Sequence, residues 1–230
     1  MGRVLLAVMM MLTGITAMAQ QEKVVDAVEF DKDIRQPDVQ VFDVRTAGEF
    51  STGHLPHALQ ADYTKKAEFK ERVQYLDKKK PVYIYCLSGG RSSAAAKWMR
   101  ENGFTDVVEL EGGINAWKQA GKPLDGVAEK KPQLSIADYN KAVQAKGYVL
   151  TDVGAAWCPP CKQMEPVLEK FFRKHPQVKK VFVDGGNDQD VMKSVNAAKL
   201  PTFIFYKDGK EIARKEGVME LAELEKLMSL

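Results

Sequence analysis

The sequence has few of the features that would place it in a nucleic-acid-binding or disulfide-stapled class. Its 230 residues carry a formal net charge of only +3, spread along the chain, which is too small for a nucleic-acid-binding surface. It contains three cysteines, and an odd number argues against a framework of structural disulfides. The low net charge predicts no nucleic-acid partner. No flavin, nicotinamide or haem signature is present, so we expect no cofactor.

The N-terminus resembles a targeting segment. Arg3 precedes an apolar run over 4–12 that is too short to span a bilayer, and Ala17-Met18-Ala19 is a small-x-small cleavage signal. We therefore predict a signal peptide over 1–19, cut after Ala19; a retained anchor is the alternative. The protein should be periplasmic or otherwise exported, with membrane contact only through this peptide before its cleavage.

The rest of the chain predicts two α/β units, because short apolar runs alternate with helix-like segments. The expected strands of the first unit are 39–44, 81–85 and 107–110, and its expected helices are 65–75, 92–102 and 114–120. The second unit should contain helix 136–145, strand 148–153, helix 162–175, strand 179–184, a hairpin over 202–215 and helix 218–228. The stretch 126–133, rich in Pro, Gly and charge, predicts a linker between domains at 22–125 and 134–230.

The first candidate site is Cys86, which follows an apolar strand and precedes a helix. That position is the carboxyl end of a parallel strand, where α/β sheets bind ligands. The loop Leu87-Ser88-Gly89-Gly90 lets successive N–H groups point inward, and Arg91 adds positive charge. Such surroundings lower a thiol pKa and suit an anionic donor such as thiosulfate. We therefore predict Cys86 and Arg91 as catalytic residues and the four loop residues as substrate-binding.

Several motifs around Cys86 resemble those of rhodanese domains over residues 22–125. They are Asp43-Val44-Arg45, Glu49-Phe50, Gly53-His54-Leu55-Pro56-His57-Ala58, the loop from Cys86 to Ser92, and the closing stretches 110–117 and 121–123. The resemblance implies a parallel-sheet domain in which Cys86 takes sulfane sulfur as a persulfide. His57 departs from the family, which more often has Gly there.

Two alternatives accompany this interpretation. Related phosphatases carry five residues between the Cys and the Arg, whereas four separate Cys86 from Arg91, which favours sulfur transfer. A non-catalytic module that docks a periplasmic disulfide reductase is the second alternative. Asp43 and Arg45 are expected to form a supporting structural ion pair, and His54 a structural hydrogen bond.

The second candidate site is Trp157-Cys158-Pro159-Pro160-Cys161, at a strand-to-helix turn. A thiolate at a helix N-terminus is stabilised there. An exposed Cys158 would attack a disulfide and Cys161, one turn inward, would resolve it, so the pair should form a redox disulfide. Zinc would need a second cysteine pair, so we predict no metal site. Both prolines lack an N–H, which predicts a reductase-type couple rather than an oxidant.

This half resembles thioredoxin over residues 133–230. Asp152 matches the buried acid of that family and would relay the proton of Cys161, which makes it a catalytic candidate. Lys180 matches the lysine beside that acid and is a supporting residue. The resemblance implies that Leu200 and Pro201 of the cis-proline loop bind substrate together with Trp157. Departures are Pro159, often Gly in the family, and Val153-Gly154, where cytosolic members are more aromatic.

Together the two sites predict an exported α/β fusion of a rhodanese-like parallel-sheet domain and a thioredoxin-fold domain. The expected partners are a small sulfane-sulfur donor, protein thiols and disulfides, and a membrane thiol carrier as electron donor. Both Cys86 and Cys158 are expected to be ionised and reachable at neutral pH.

Overall fold

The computed structural model describes residues 22–126 and 132–228. The predicted signal peptide, 1–19, lies outside these residues, and so does most of the predicted linker, at 127–131. Within the described part of the chain, no helix combines the length and the apolar character that a bilayer crossing requires.

The N-terminal unit is a five-stranded sheet whose strands all run parallel, in the order β1-β5-β4-β2-β3. Its strands are β1 Lys23–Val25, β2 Gln40–Asp43, β3 Leu59–Gln60, β4 Val82–Tyr85 and β5 Val107–Leu110. Its helices are α1 Ala27–Asp33, α2 Ala47–Ser51, α3 Lys66–Val73, α4 Gly90–Glu101 and α5 Gly113–Gln119. The parallel sheet expected from the strand–helix alternation is confirmed.

Both faces of this sheet are buried, as parallel sheets require. Along β4, Tyr83 and Tyr85 pack with Phe30 and Trp117 of α1 and α5 on one face. Val82 and Ile84 pack on the other face with α3 and α4, and Cys86 extends that second cluster. The Cys86 thiol therefore lies at the carboxyl end of the central strand, on the face covered by α3 and α4.

The C-terminal unit is a mixed four-stranded sheet in the order β7-β6-β8-β9. Strands β6 and β7 are parallel, and β8 runs antiparallel to β6 and β9. Its strands are β6 Tyr148–Gly154, β7 Lys179–Asp184, β8 Thr202–Lys207 and β9 Lys210–Glu216. Its helices are α6 Ile136–Val143, α7 Pro159–Lys174, α8 Gln189–Ser194 and α9 Leu221–Met228. One apolar cluster lies on each face.

The sequence located the long elements and missed the short ones. It missed β1, β3, α1, α2 and α8, each of two to seven residues, which are too short to show a hydrophobic period. The helix expected from 162 begins at Pro159, because a proline at the first helical position lacks only an N–H that would be unpaired anyway. The closing helix begins at Leu221 rather than at 218.

Candidate active sites

The Cys86 loop is shaped by a sharp backbone turn into α4. Gly89 has a φ of +109° and caps the helix, which begins at Gly90. Beneath the loop, Gly113 lies so close that a Cβ there would meet the Cys86 carbonyl oxygen at 2.6 Å. The N–H of Ile114 donates to that same oxygen at 2.9 Å. The loop is thus fastened to the start of α5, which fixes the direction of the Cys86 side chain.

The Cys86 thiol is surrounded by hydrogen-bond donors. Its Sγ accepts from the Gly89 N–H at 3.2 Å, and the Ser92 hydroxyl lies 3.4 Å from Sγ and 2.8 Å from the Gly89 carbonyl oxygen. Burial by itself raises the pKa of Cys86, but hydrogen bonds from the Ser92 side chain and from the N–H groups of Ser92, Ser88 and Gly89 lower it below its ordinary value. The loop favours a thiolate.

Arg91 is paired with a carboxylate rather than left to face a substrate. Its two terminal nitrogens donate to Glu49 at 2.8 and 2.7 Å. The hydrogen bond from Arg91 lowers the pKa of Glu49 to about 2, although burial opposes it. Glu49 offsets much of the positive charge expected from Arg91, so the backbone N–H groups and Ser92 carry more of the anion-binding role than the sequence suggested.

Asp43 and Arg45 lie directly beneath this region as a buried ion pair. The guanidinium of Arg45 donates to both carboxylate oxygens of Asp43 and to the Gly53 carbonyl, with Arg45 1% and Asp43 0% exposed. His54 stacks on the Phe50 ring at 3.7 Å, and its Nδ1 lies 3.2 Å from the Phe50 carbonyl oxygen. The expected structural contacts of these residues are present.

The second thiol pair forms a disulfide at the start of α7. Cys158 is the N-cap residue, and its Sγ accepts from the Cys161 N–H at 3.3 Å. Pro159 and Pro160 occupy the first two helical positions, so neither can donate to the Cys158 sulfur. Only the third N–H of the helix therefore reaches that sulfur.

The residues of the expected proton relay, Asp152 and Lys180, line the same cavity as Cys161. Lys180 Nζ lies 3.3 Å from the Asp152 carboxylate. Burial raises the pKa of Asp152, and Lys180 opposes that shift. The Leu200–Pro201 peptide is cis, as the resemblance implied. Among the described residues, His, Cys, Asp and Glu side chains form no group of three that could bind a metal ion.

The expected exposures of the cysteines are wrong. Cys158, predicted to be exposed, is 0% exposed, while Cys161, predicted to lie inward, is partly exposed. Trp157 packs against the N-terminal unit beside Cys158, and Gly154 has no side chain to cover Cys161. Cys86 is also buried, at 1% exposure, although Leu87 above it is exposed.

Comparison with known proteins assigns both halves. A family model described as a rhodanese-like domain matches residues 26–120, and the thioredoxin model matches 130–229. Thioredoxin of Chlamydia trachomatis is 39% identical over 85 residues, which are 37% of this chain and 83% of that protein. Thiosulfate sulfurtransferase GlpE of Coxiella burnetii is 34% identical over 85 residues, 37% of this chain and 77% of that protein.

The chain is a rhodanese–thioredoxin fusion. Membership of both families identifies it in general terms as a sulfur-transfer and thiol-redox enzyme. Among solved structures, a rhodanese-related protein from Thermoplasma volcanium is 26% identical, covers 45% of this chain and 98% of its own, and has a TM-score of 0.41.

The two domains of the fusion contact each other through Trp157, the residue before Cys158. Its carbonyl oxygen accepts from the N–H of Gln60, at the end of edge strand β3, at 2.9 Å. Its ring lies 5.8 Å from the Phe50 ring and 5.4 Å from the Arg72 guanidinium. Arg72 in turn donates to the Gln60 side-chain oxygen at 2.9 Å.

This contact lies at the same end of the sheet as the rhodanese loop, the carboxyl end of the strands. Gln60 pairs in register with Asp43, and Asp43 with Tyr85, the residue before Cys86. Phe50, which contacts Trp157, follows Glu49, the partner of Arg91.

Sequence reasoning missed several residues that build these sites. Ser92 and Glu49 fall inside the quoted motifs, so their presence was noted but not their contacts with Cys86 and Arg91. Gln60 and Arg72 left no signal, because a contact between two domains has no local sequence pattern.

Proposed function

We propose that this fusion is an exported enzyme that takes sulfane sulfur on Cys86 and passes it to the Cys158/Cys161 dithiol. The contact between Trp157 and the rhodanese-like domain carries the proposal. Gln60 and Tyr85 are two strand spacings apart, or about 10 Å. The hydrogen bond from Gln60 to Trp157 and one residue at each end, Cys86 and Cys158, add to this distance. The Cα atoms of Cys86 and Cys158 therefore lie within roughly 20 Å of each other.

The first half-reaction belongs to the rhodanese-like domain. The Cys86 thiolate attacks the outer sulfur of a thiosulfate-like donor, a Cys86 persulfide forms, and sulfite leaves with the electron pair of the broken S–S bond. The donors around Sγ, Ser92 and the Gly89 N–H, stabilise both the attacking thiolate and the anionic persulfide. The lowered pKa of Cys86 favours this catalytic role over a purely docking one.

The second half-reaction belongs to the thioredoxin domain in its reduced form. The Cys158 thiolate attacks the outer sulfur of the persulfide, and the Cys86 thiolate leaves. Cys161 then attacks Sγ of Cys158, which closes the disulfide and releases hydrosulfide. Asp152, beside Cys161 and paired with Lys180, accepts the Cys161 proton.

Transfer needs a relative movement of the domains, because both sulfurs are buried. Covalent linkage makes such a movement effective, since tethered groups meet at concentrations on the order of mM. Protein disulfides could be reduced by the same dithiol when Trp157 leaves its contact.

Export and the source of electrons complete the proposal. Cleavage after Ala19 would release the protein to an exported compartment, where a membrane thiol carrier would reduce the Cys158–Cys161 disulfide. N-terminal sequencing of the protein from an exported fraction should begin at Gln20. An N-terminus at Met1 would contradict cleavage, and absence of the protein from that fraction would contradict export.

Single-turnover transfer tests the hand-off. Cys86 of the reduced full chain is loaded with thiosulfate, and hydrosulfide release is followed together with disulfide formation. We expect release to stop in Cys158→Ser, while the persulfide on Cys86 persists. The control is an equimolar mixture of Cys158→Ser and Cys86→Ser chains, which should transfer more slowly than the intact chain. Release that is unchanged in Cys158→Ser would refute hand-off.

If the rhodanese-like domain only docks a redox partner, Cys86 will be alkylatable but will gain no sulfur from thiosulfate. Mass spectrometry of the same samples separates this outcome from a failure of hand-off.

A further inference from the structure

A cavity of about 370 Å³ lies beside Cys161 in the thioredoxin domain. Its polar lining comes from Asp152 and Lys180, which form an ion pair, and from Glu165 and Glu169. Phe182 contributes an aromatic wall and is 48% exposed, so the cavity borders the protein surface.

Gly154 accounts for the open space between the acid and the thiol. A Cβ at this position would lie 3.4 Å from Asp152 Oδ1, 3.6 Å from Cys161 Sγ and 3.7 Å from the Phe182 ring. The acid, the sulfur and the aromatic wall thus face one point above the Gly154 backbone. Because Gly154 has no side chain, nothing fills the cavity at this point, and a ligand in the cavity would face both Asp152 and Cys161.

The two sulfurs of the disulfide differ in their access. Cys158 is 0% exposed and lies beside Trp157, which packs on the rhodanese-like domain. Cys161 is partly exposed and lines the cavity. A protein reductase that attacks Cys158 would first have to separate the domains, whereas a small thiol can reach Cys161 without doing so.

We propose that this cavity admits a low-molecular-weight thiol, neutral or amine-bearing, which reduces the disulfide by attacking Cys161. The inference rests on the proposed function only in taking Cys158 and Cys161 as the redox pair. It assigns a ligand class and an entry route to that pair while the domains stay in contact.

The reaction balances with two thiol molecules. The Asp152 carboxylate takes the proton of the first thiol, and the resulting thiolate attacks Sγ of Cys161. The S–S bond breaks, and its electron pair stays on Cys158, whose thiolate accepts the Cys161 N–H. A second thiolate attacks the ligand sulfur of the mixed disulfide, the Cys161 thiolate leaves and takes the proton from Asp152, and the small thiol is released as its own disulfide.

Charge selects among thiols of similar size. The lining carries three carboxylates and one ammonium, and Glu165 is further paired with Lys162 at 2.9 Å. This leaves an excess of negative charge, which disfavours a thiol bearing a carboxylate and favours one bearing an ammonium.

Mapping the site of attack is the first test. The oxidised full chain is mixed with cysteamine, quenched rapidly in acid, and its free thiol is labelled with a maleimide under denaturing conditions. Peptide fragmentation at Pro159 and Pro160 then separates the two cysteines. We expect cysteamine on Cys161 and maleimide on Cys158. The opposite pattern would overturn the proposal.

Rates for three small thiols are the second test. Cysteamine, 2-mercaptoethanol and 3-mercaptopropionate differ mainly in charge, and their rates are compared after correction for thiolate fraction and nucleophilicity. We expect cysteamine to react about threefold or more faster than 3-mercaptopropionate at low salt. Glu169→Gln should reduce this ratio. Equal corrected rates for all three thiols would contradict the charge selection.

Filling the cavity is the third test. Gly154→Leu should slow all three thiols by about tenfold, since the ligand would have to displace a packed side chain. Gly154→Ala is the graded comparison: its single Cβ makes van der Waals contacts with Asp152 and Cys161, so it should slow the thiols less than the larger Leu side chain does. Thermal unfolding checks that both variants fold. If Gly154→Leu does not fold, the mapped site of attack and the rates of Glu169→Gln decide whether the proposal holds. Unchanged rates in a folded Gly154→Leu would overturn the entry route.

None of these measurements involves sulfur on Cys86. A negative result here leaves hand-off from Cys86 intact, and a negative hand-off result leaves the entry route at Cys161 intact.

Discussion

The N–H of Gln60 donates a 2.9 Å hydrogen bond to the carbonyl oxygen of Trp157, across the boundary between two domains. Gln60 ends the edge strand of the rhodanese-like sheet, where a main-chain N–H would otherwise have no strand partner. Trp157 immediately precedes Cys158. An unpaired sheet edge in one domain is thus satisfied by the backbone of the other domain's active-site segment.

Arg72→Ala should weaken this contact. Arg72 lies over the Trp157 ring and donates to Gln60, so its removal should cost about 1 kcal/mol of cation–π energy and make the undocked state about fivefold more populated. In the reduced protein, Cys158 should then be alkylated about fivefold faster. Arg35→Ala, which removes an exposed arginine paired with Asp31, is the control. Equal alkylation rates in the two variants would show that Arg72 does not stabilise docking.

Ser92→Ala should make the Cys86 thiol less acidic, because it removes the hydroxyl beside Sγ. A typical hydrogen bond contributes about 1 kcal/mol, so alkylation of Cys86 near neutral pH should slow by about fivefold, with the same rate at high pH. The pH profile of iodoacetamide reactivity measures this. Ser93→Ala changes the exposed neighbour on the same helix and should leave the profile unchanged. Identical pH profiles for the two variants would show that Ser92 does not lower the pKa of Cys86.

Asp152→Asn should stabilise the protein at neutral pH. The folded-state pKa of Asp152 is raised by burial, so the folded protein binds its proton more tightly than the unfolded chain does. The ionised carboxylate therefore destabilises the fold increasingly as the pH rises from the ordinary value of 3.8 through the raised pKa.

Denaturant unfolding should give a gain for Asp152→Asn at pH 7 that vanishes below the ordinary pKa. The same variant should slow disulfide closure by Cys161, because the proton acceptor is lost. Glu216→Gln, an exposed change on β9, is the control for the general effect of removing one charge. A stability gain that is independent of pH would contradict burial as its cause.

The proline pair should set the redox potential. We expect the wild-type couple to lie nearer the roughly −270 mV of thioredoxin than the roughly −120 mV of a strong oxidant. Pro160→Ala restores the second N–H of α7, which can donate to the N-cap sulfur, and should raise the potential by roughly 20 mV, the equivalent of about one hydrogen bond. Pro159→Ala restores the first N–H, which does not face that sulfur, and is the matched control. Equal shifts of the redox potential in both variants would mean that the N–H missing at Pro160 does not set the potential.

Local chemistry made the two cysteine sites predictable. A cysteine in a Gly-rich loop after a strand, and a C-x-x-C before a helix, each impose a backbone geometry within a few residues. The buried Asp43–Arg45 pair and the Asp152–Lys180 pair followed from the family motifs. The short strand β3 did not, because two residues show no period.

The sequence by itself determined which cysteines are the candidates for reaction, because the loop, the helix N-terminus and the proline pair are encoded in adjacent residues. Only the tertiary structure decided which of them is accessible. Trp157, beside the buried Cys158, contacts Gln60, Phe50 and Arg72, which lie about 85 to 107 residues before it along the chain. Exposure of Cys161 depends on how β6, β7 and α7 pack around Gly154. Contacts at such separations arise from packing of whole domains, which no local pattern records.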